Sequence, residues 1–280
     1  MVAALLFGAL VAPGLQPAQA LPGQLSSSQS VVRSTSAVVR CSPDAGTSNF
    51  GGSDRCAPDS LALRHVVAAT VDMAVDRVAA LWGSGWSRQV LVIVPSSQQQ
   101  ASQLLGPGVD LAPFAAVATA DRVIVNPRTF VTLNQVGREL VLTHEVMHLA
   151  SRAATGSCSP LWLVEGLADY AGYQQLAVPR SLAAEQVRRQ LQSGRRITAL
   201  PARADFSGSN PSLAATYEQA WLAVLYLVER FGQPRLLALY RTLGRAQSSL
   251  AAEQAFTAVL GLTPVAFEQD WVAHLPGQLR

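Results

Sequence analysis

The chain has 280 residues, 49% of them apolar and 14% charged, where ordinary globular chains carry about 25% charged residues. This suits one large domain or two small ones with a real core and excludes a chain disordered throughout. Lys and Arg total 21 against 18 Asp and Glu, a net charge of +3, with basic residues adjacent only at Arg188-Arg189 and Arg195-Arg196; that excludes a nucleic-acid surface, and no apolar run reaches the roughly 18 residues of a membrane span.

Met1 to Ala12 is an uncharged apolar run, broken by Pro13-Gly14 and followed by Ala18-Gln19-Ala20. A short apolar core ending in small-x-small is what signal peptidase reads, although no Lys or Arg precedes this one. Residues 1–20 are therefore expected to be a signal peptide, with the mature protein secreted or extracytoplasmic and keeping no membrane span. Leu21 to Pro58 is rich in Ser, Gly, Pro and Thr and reads as a flexible linker or arm. Inside it Cys41 and Cys56 flank Ser42–Arg55. A bridge there would stabilise by about 3 kcal/mol and leave Cys158 unpaired, but pairing of Cys158 with either of the others is equally open.

The pattern from Asp59 to Trp82 predicts a helix, ended by Gly83. Gln89–Val94 is a β-branched run and reads as a buried strand. Ser97–Leu105 suits a short helix, and Ala115–Val125 reads as a hairpin turning near Asp121. A long helix is predicted from Val131 to Arg152. Further helices follow at Leu161–Gln175, Ser181–Ser193, Ser212–Phe231, Pro234–Leu243, Leu250–Leu260 and Pro264–Leu275. The fold class is α+β. A small mixed sheet with helices over 59–160 precedes an all-helical part over 161–280, with the active site expected between them.

Chemistry concentrates on the long helix, in His144-Glu145-Val-Met-His148. Imidazoles at i and i+4 lie one turn apart on one face and reach a single cation. Glu145 points about 100° round the helix, placed to hold a proton from an activated water rather than to ligate. This is the H-E-x-x-H arrangement of zinc hydrolases. The flanks Leu140, Val141, Leu142, Val146, Met147 and Leu149 are apolar, so the polar groups are buried and need partners.

One catalytic Zn²⁺ needs a third protein ligand and an open position. Ser151 and Ala154 stand where a metzincin requires Gly and His, which excludes that class. Cys158 is conceivable. The stronger candidate is Glu165, in Leu161-Trp-Leu-Val-Glu165-Gly-Leu-Ala-Asp169, because a carboxylate in so apolar a helix is costly unless paired. Asp169 shares its face and is suited to accept the outward ring N–H of a ligating His.

His144-Glu145-x-x-His148 followed by Glu165-Gly-Leu-Ala-Asp169 resembles the gluzincins, specifically the peptidase MA-like group. The resemblance spans roughly Gln89 to Leu275 and implies a zincin-like fold. It implies zinc held by His144, His148 and Glu165, Glu145 as general base, and Asp169 behind the ligands. It also implies a downstream Tyr or His as oxyanion donor. Tyr217 stands at about the right place, with Tyr170, Tyr173 and His274 as alternatives. The strand Arg122–Val125 is expected at the sheet edge, where an extended peptide adds. The Gly-x-Met-Glu-Asn motif of aminopeptidases is absent, which argues against aminopeptidase activity.

The expected function is thus an exported zinc metallopeptidase, hydrolysing peptide or protein substrates with a zinc-activated water and Glu145 as base. The alternative is an inactive zinc-binding scaffold for peptides or a partner protein.

Overall fold

A computed structural model of the protein describes residues 31–42, 59–96, 98–105, 111 and 114–279. The expected signal peptide and Cys56 lie outside the described residues. The chain divides into two compact units that join in sequence between Ala150 and Ser151.

The first unit carries a five-stranded mixed sheet. In chain order it contains β1 (Val31–Arg33), β2 (Ala37–Ser42), α1 (Asp59–Trp82), β3 (Val90–Pro95), α2 (Gln98–Leu105), β4 (Ala116–Ala118), β5 (Arg122–Val125), α3 (Pro127–Phe130) and α4 (Gln135–Ser151). The strand order is β1-β2-β3-β5-β4. The two central pairings are parallel, Ala37 opposite Val90 and Leu91 opposite Arg122, and the two outer ones antiparallel. α1 buries Val67, Val71, Ala74, Val75 and Val78, the helical spacing of one apolar face.

The structure departs from the sequence pattern in two places. Residues 31–42 are not a flexible arm: they form β1 and β2. Asp72 on α1 secures their turn by accepting from the Ser34 hydroxyl at 2.9 Å and the Ser36 N–H at 2.7 Å. Arg122–Val125 is not the edge strand either. β5 lies between β3 and β4, and β4 forms the edge. Val123, Ile124 and Val125 are wholly buried, so the β-branched strand takes the interior position and the alanine strand the rim.

The second unit contains α5 (Leu161–Tyr173), α6 (Arg180–Ala183), α7 (Glu185–Gln192), α8 (Leu213–Phe231), α9 (Gln233–Arg245), α10 (Ser249–Leu260) and α11 (Pro264–Gln278). Its core includes Trp271 and Phe267, with Trp162 stacked on Phe267 at 5.7 Å between ring centroids. α5 approaches α8 closely through Gly166, where a Cβ would stand 2.4 Å from the Ala220 carbonyl oxygen. No larger residue fits without separating the helices. The helix expected over Ser181–Ser193 is broken at Ala184. The break gives α7 its own N-terminus, whose unused amide groups need an acceptor. No single helix among the described residues is long and apolar enough to cross a membrane.

Candidate functional site

α4 is fixed along its length by polar contacts. Asn134 caps it, its side-chain oxygen accepting the Gly137 N–H at 2.8 Å. Arg77 on α1 pairs with Glu139 at 2.6 Å. Burial pushes the Glu139 carboxyl up, but the bonds from Arg77 and Gln135 outweigh it and hold the group below its usual range. Thr143 donates to the Glu139 carbonyl at 2.6 Å.

One turn further on, His144, Glu145 and His148 are all buried. The two imidazoles meet edge to face, with Nε2 atoms 2.9 Å apart. Nitrogens sharing a tetrahedral zinc stand roughly 3.3 Å apart, from bonds of about 2.0–2.1 Å, so this spacing is close to that of a chelating pair. The Glu145 carboxylate turns toward the sheet, where Oε2 accepts the backbone N–H of Ala118 at 2.6 Å. The edge strand thereby orients the proposed base.

On α5, Glu165 and Asp169 are buried. His144, His148 and Glu165 form a group able to hold a metal ion, each offering one ligand atom and these atoms lying within 4.8 Å of one another. Two imidazole nitrogens and a carboxylate oxygen, all withdrawn from water, are a donor set that suits Zn²⁺. Cys158, the other candidate, is a free thiol that lines a different cavity of the helical unit. Cys41 is disulfide-bonded, which removes the pairings that involve Cys158.

Asp169 and Tyr217 line one small cavity together with Tyr173, Glu218 and Trp221. Its volume of about 20 Å³ has room for a single water. Tyr217 is buried with its ring edge-on to Phe206, 5.3 Å between centroids. Burial, with the negative charges of Asp169 and Glu218, pushes the Tyr173 hydroxyl well above its usual range, so it stays protonated. Of the other donors weighed from sequence, Tyr170 is bonded into a cluster with Gln174 and Gln233, and His274 lies against Tyr226.

Glu218 was not singled out from the sequence. Its Oε2 accepts the Val187 N–H at 2.7 Å, and Gln186 also donates to it, so it caps the N-terminus of α7 from another helix. Burial dominates its titration. Despite the two amide bonds, and with Glu185 and Asp169 adding repulsion, the carboxyl is pushed up to about 7. The signal was weaker than at Glu165: Glu218 sits among Thr216, Tyr217 and Gln219, ahead of the apolar run Ala220–Leu227.

The family model described as Peptidase MA superfamily matches residues 115–277, more than half of the chain. No curated protein matches. Among solved structures, the chain is similar to a mutant M1 zinc metallopeptidase from Deinococcus radiodurans bound to a Tyr-Ser-Ala substrate. The identity is 17%, the TM-score 0.43, and the match covers 84% of this chain and 47% of that one. It is also similar to a mutant two-domain M1 zinc metallopeptidase bound to L-tryptophan, at 16% identity and TM-score 0.42, covering 90% of this chain and 50% of that one. The chain spans about half the length of these structures.

Proposed function

The chain belongs to the peptidase MA superfamily, and from that premise we propose that it is an exported zinc-dependent metallopeptidase hydrolysing peptide bonds. The observation that carries the proposal is the buried His144–His148 pair with Nε2 atoms 2.9 Å apart, on a helix whose Glu145 is oriented by the Ala118 N–H. In this reading His144, His148 and Glu165 hold the metal. When bound, zinc supplies Lewis-acid polarisation of the scissile carbonyl and lowers the pKa of water. Glu145 takes a proton from the attacking water and delivers it to the leaving nitrogen. Tyr217 donates to the oxyanion as it forms. Asp169 accepts a ring N–H of a ligating histidine and so fixes its tautomer.

Substrate placement follows from strand parity. Asn126 donates to the Ala115 carbonyl and Thr119 to that of Arg122. The alternate residues Ala116 and Ala118 therefore direct their backbone groups away from β5. Ala116 is buried, and exposure rises only at Thr119 and Ala120. With the Ala118 N–H taken by Glu145, an extended peptide would pair through the Ala118 carbonyl and the Ala120 N–H, next to the base. Export is supported by the disulfide-bonded Cys41, since such bonds persist in oxidising compartments.

The test is Glu145→Gln against wild type on a mixed peptide pool, with zinc content measured on both. A fall of about 10³-fold in turnover at unchanged zinc content is expected. Equal turnover would overturn the reading and leave the zinc-binding scaffold.

A further inference from the structure

The helical unit holds a second and much larger cavity, of about 530 Å³, at the start of α5 and between the ends of α9, α10 and α11. That volume is in the range of a specific ligand site. Trp162, Leu200, Leu243 and Phe256 supply apolar wall, while Glu253 and Glu268 supply carboxylates. No Lys or Arg lines it, although the chain as a whole has net charge +3. Glu268 is anchored by accepting the Leu200 N–H at 2.8 Å, which leaves the solvent-exposed Glu253 the more adaptable of the two.

A separate observation points to the same place. The two most exposed large apolar side chains among the described residues are Leu250 at 64% and Val265 at 61%. Of these, Val265 lines this cavity. Apolar surface left in water beside an apolar hollow marks a binding surface more often than scattered single residues do. The hollow also adjoins the candidate centre along the chain, since Trp162 precedes Glu165 by three residues on α5, about 4.5 Å of helix rise.

We propose that this cavity is a docking site for a peptide segment carrying a bulky apolar side chain next to Lys or Arg. The apolar side chain would fill the hollow over Trp162 and Phe256, and the cation would pair with Glu253 at the rim. The occupant is a part of the substrate remote from the bond that is cut, and in this respect the inference rests on the peptidase reading.

Cys158, half-exposed in the cavity wall, is a built-in reporter. The full-length protein is treated with a thiol-reactive chromophore in the presence of acetyl-Arg-Phe-Arg-amide or acetyl-Glu-Phe-Glu-amide, and Cys158→Ser identifies the signal. The basic peptide is expected to slow modification of Cys158 at least fivefold, saturably, with or without chelator, and the acidic peptide to leave the rate unchanged. Glu253→Arg and Val265→Lys, both at exposed positions, should each weaken this protection about tenfold. Three results would overturn the proposal: no slowing, equal slowing by both peptides, or protection that rises with protein concentration alone, which would make a second copy of the chain the occupant. Cleavage without protection removes this docking site and leaves the peptidase. Protection without any cleavage of peptides removes the peptidase reading and leaves the docking site.

Discussion

The two units handle buried charge differently. In the sheet unit each buried carboxylate meets a donor built for it: Glu139 meets Arg77 at 2.6 Å, and Glu145 meets the Ala118 N–H at 2.6 Å. Glu139 is accordingly held below its usual range. The helical unit also gives Glu218 two amide donors, but it sets that carboxyl beside Asp169. Glu218 and Asp169 line one cavity with Tyr173, Glu218 is pushed up to about 7, and Tyr173 is raised well above its usual range. The sheet unit thus holds Glu139 charged through its donors, while the helical unit contains a carboxyl that titrates near neutral pH. A rigid base and a tunable environment are different requirements, and different parts of the chain carry them.

The largest effect is expected at α4. His148→Ala removes one of the facing nitrogens, and near-stoichiometric zinc in wild type should fall to background, read by metal analysis after dialysis; retention of the metal would show that the pair does not ligate. Packing in the helical unit comes next. In Gly166→Ala the added Cβ would meet the Ala220 carbonyl oxygen at 2.4 Å, so denaturant unfolding should show a loss of about 3–4 kcal/mol. Arg77→Met strips Glu139 of its partner, with an expected cost of about 3 kcal/mol at pH 7. The Glu139 pKa is lowered in the folded state, so that stabilisation is present above the unfolded value and lost as pH falls through the folded one. The difference between wild type and variant should shrink in acid.

The smallest effect sharpens the contrast best. Glu218 rises from 4.5 to about 7 on folding, so across that interval the native state binds more protons than the unfolded chain. Stability therefore falls as pH rises through it, by about 2 kcal/mol once solvent screening is allowed for. Glu218→Gln keeps an acceptor for the Val187 N–H but cannot titrate, so unfolding measured from pH 4.5 to 8 should lose that slope. An unchanged slope would show that some other group sets it.

Several features were legible from local pattern alone. His144, Glu145 and His148 share a short stretch of one helix, and spacing within a helix is set by its pitch. Glu165 and Asp169 stood out because carboxylates in an apolar helix demand partners. The long helices of the second unit were legible within a few residues at their ends. β1 and β2 were missed because Val31–Ser42 sits in a Ser- and Thr-rich context. What makes them strands is the pairing of β2 with β3 and the capture of their turn by Asp72, both from distant sequence. The hairpin of β4 and β5 was visible, but not which arm would pair with β3.

What the sequence determined by itself is what each segment presents: the zinc-type motif, the acid-bearing helix, and the apolar faces that make helices and strands. Those are periodic properties of neighbouring residues. Only the tertiary structure decided that β4 rather than β5 is the edge, that the Ala118 N–H holds Glu145, and that Glu218 caps α7 beside Tyr217. Each of these joins groups far apart in the chain. Their strength comes from burial and alignment, which no local spacing encodes.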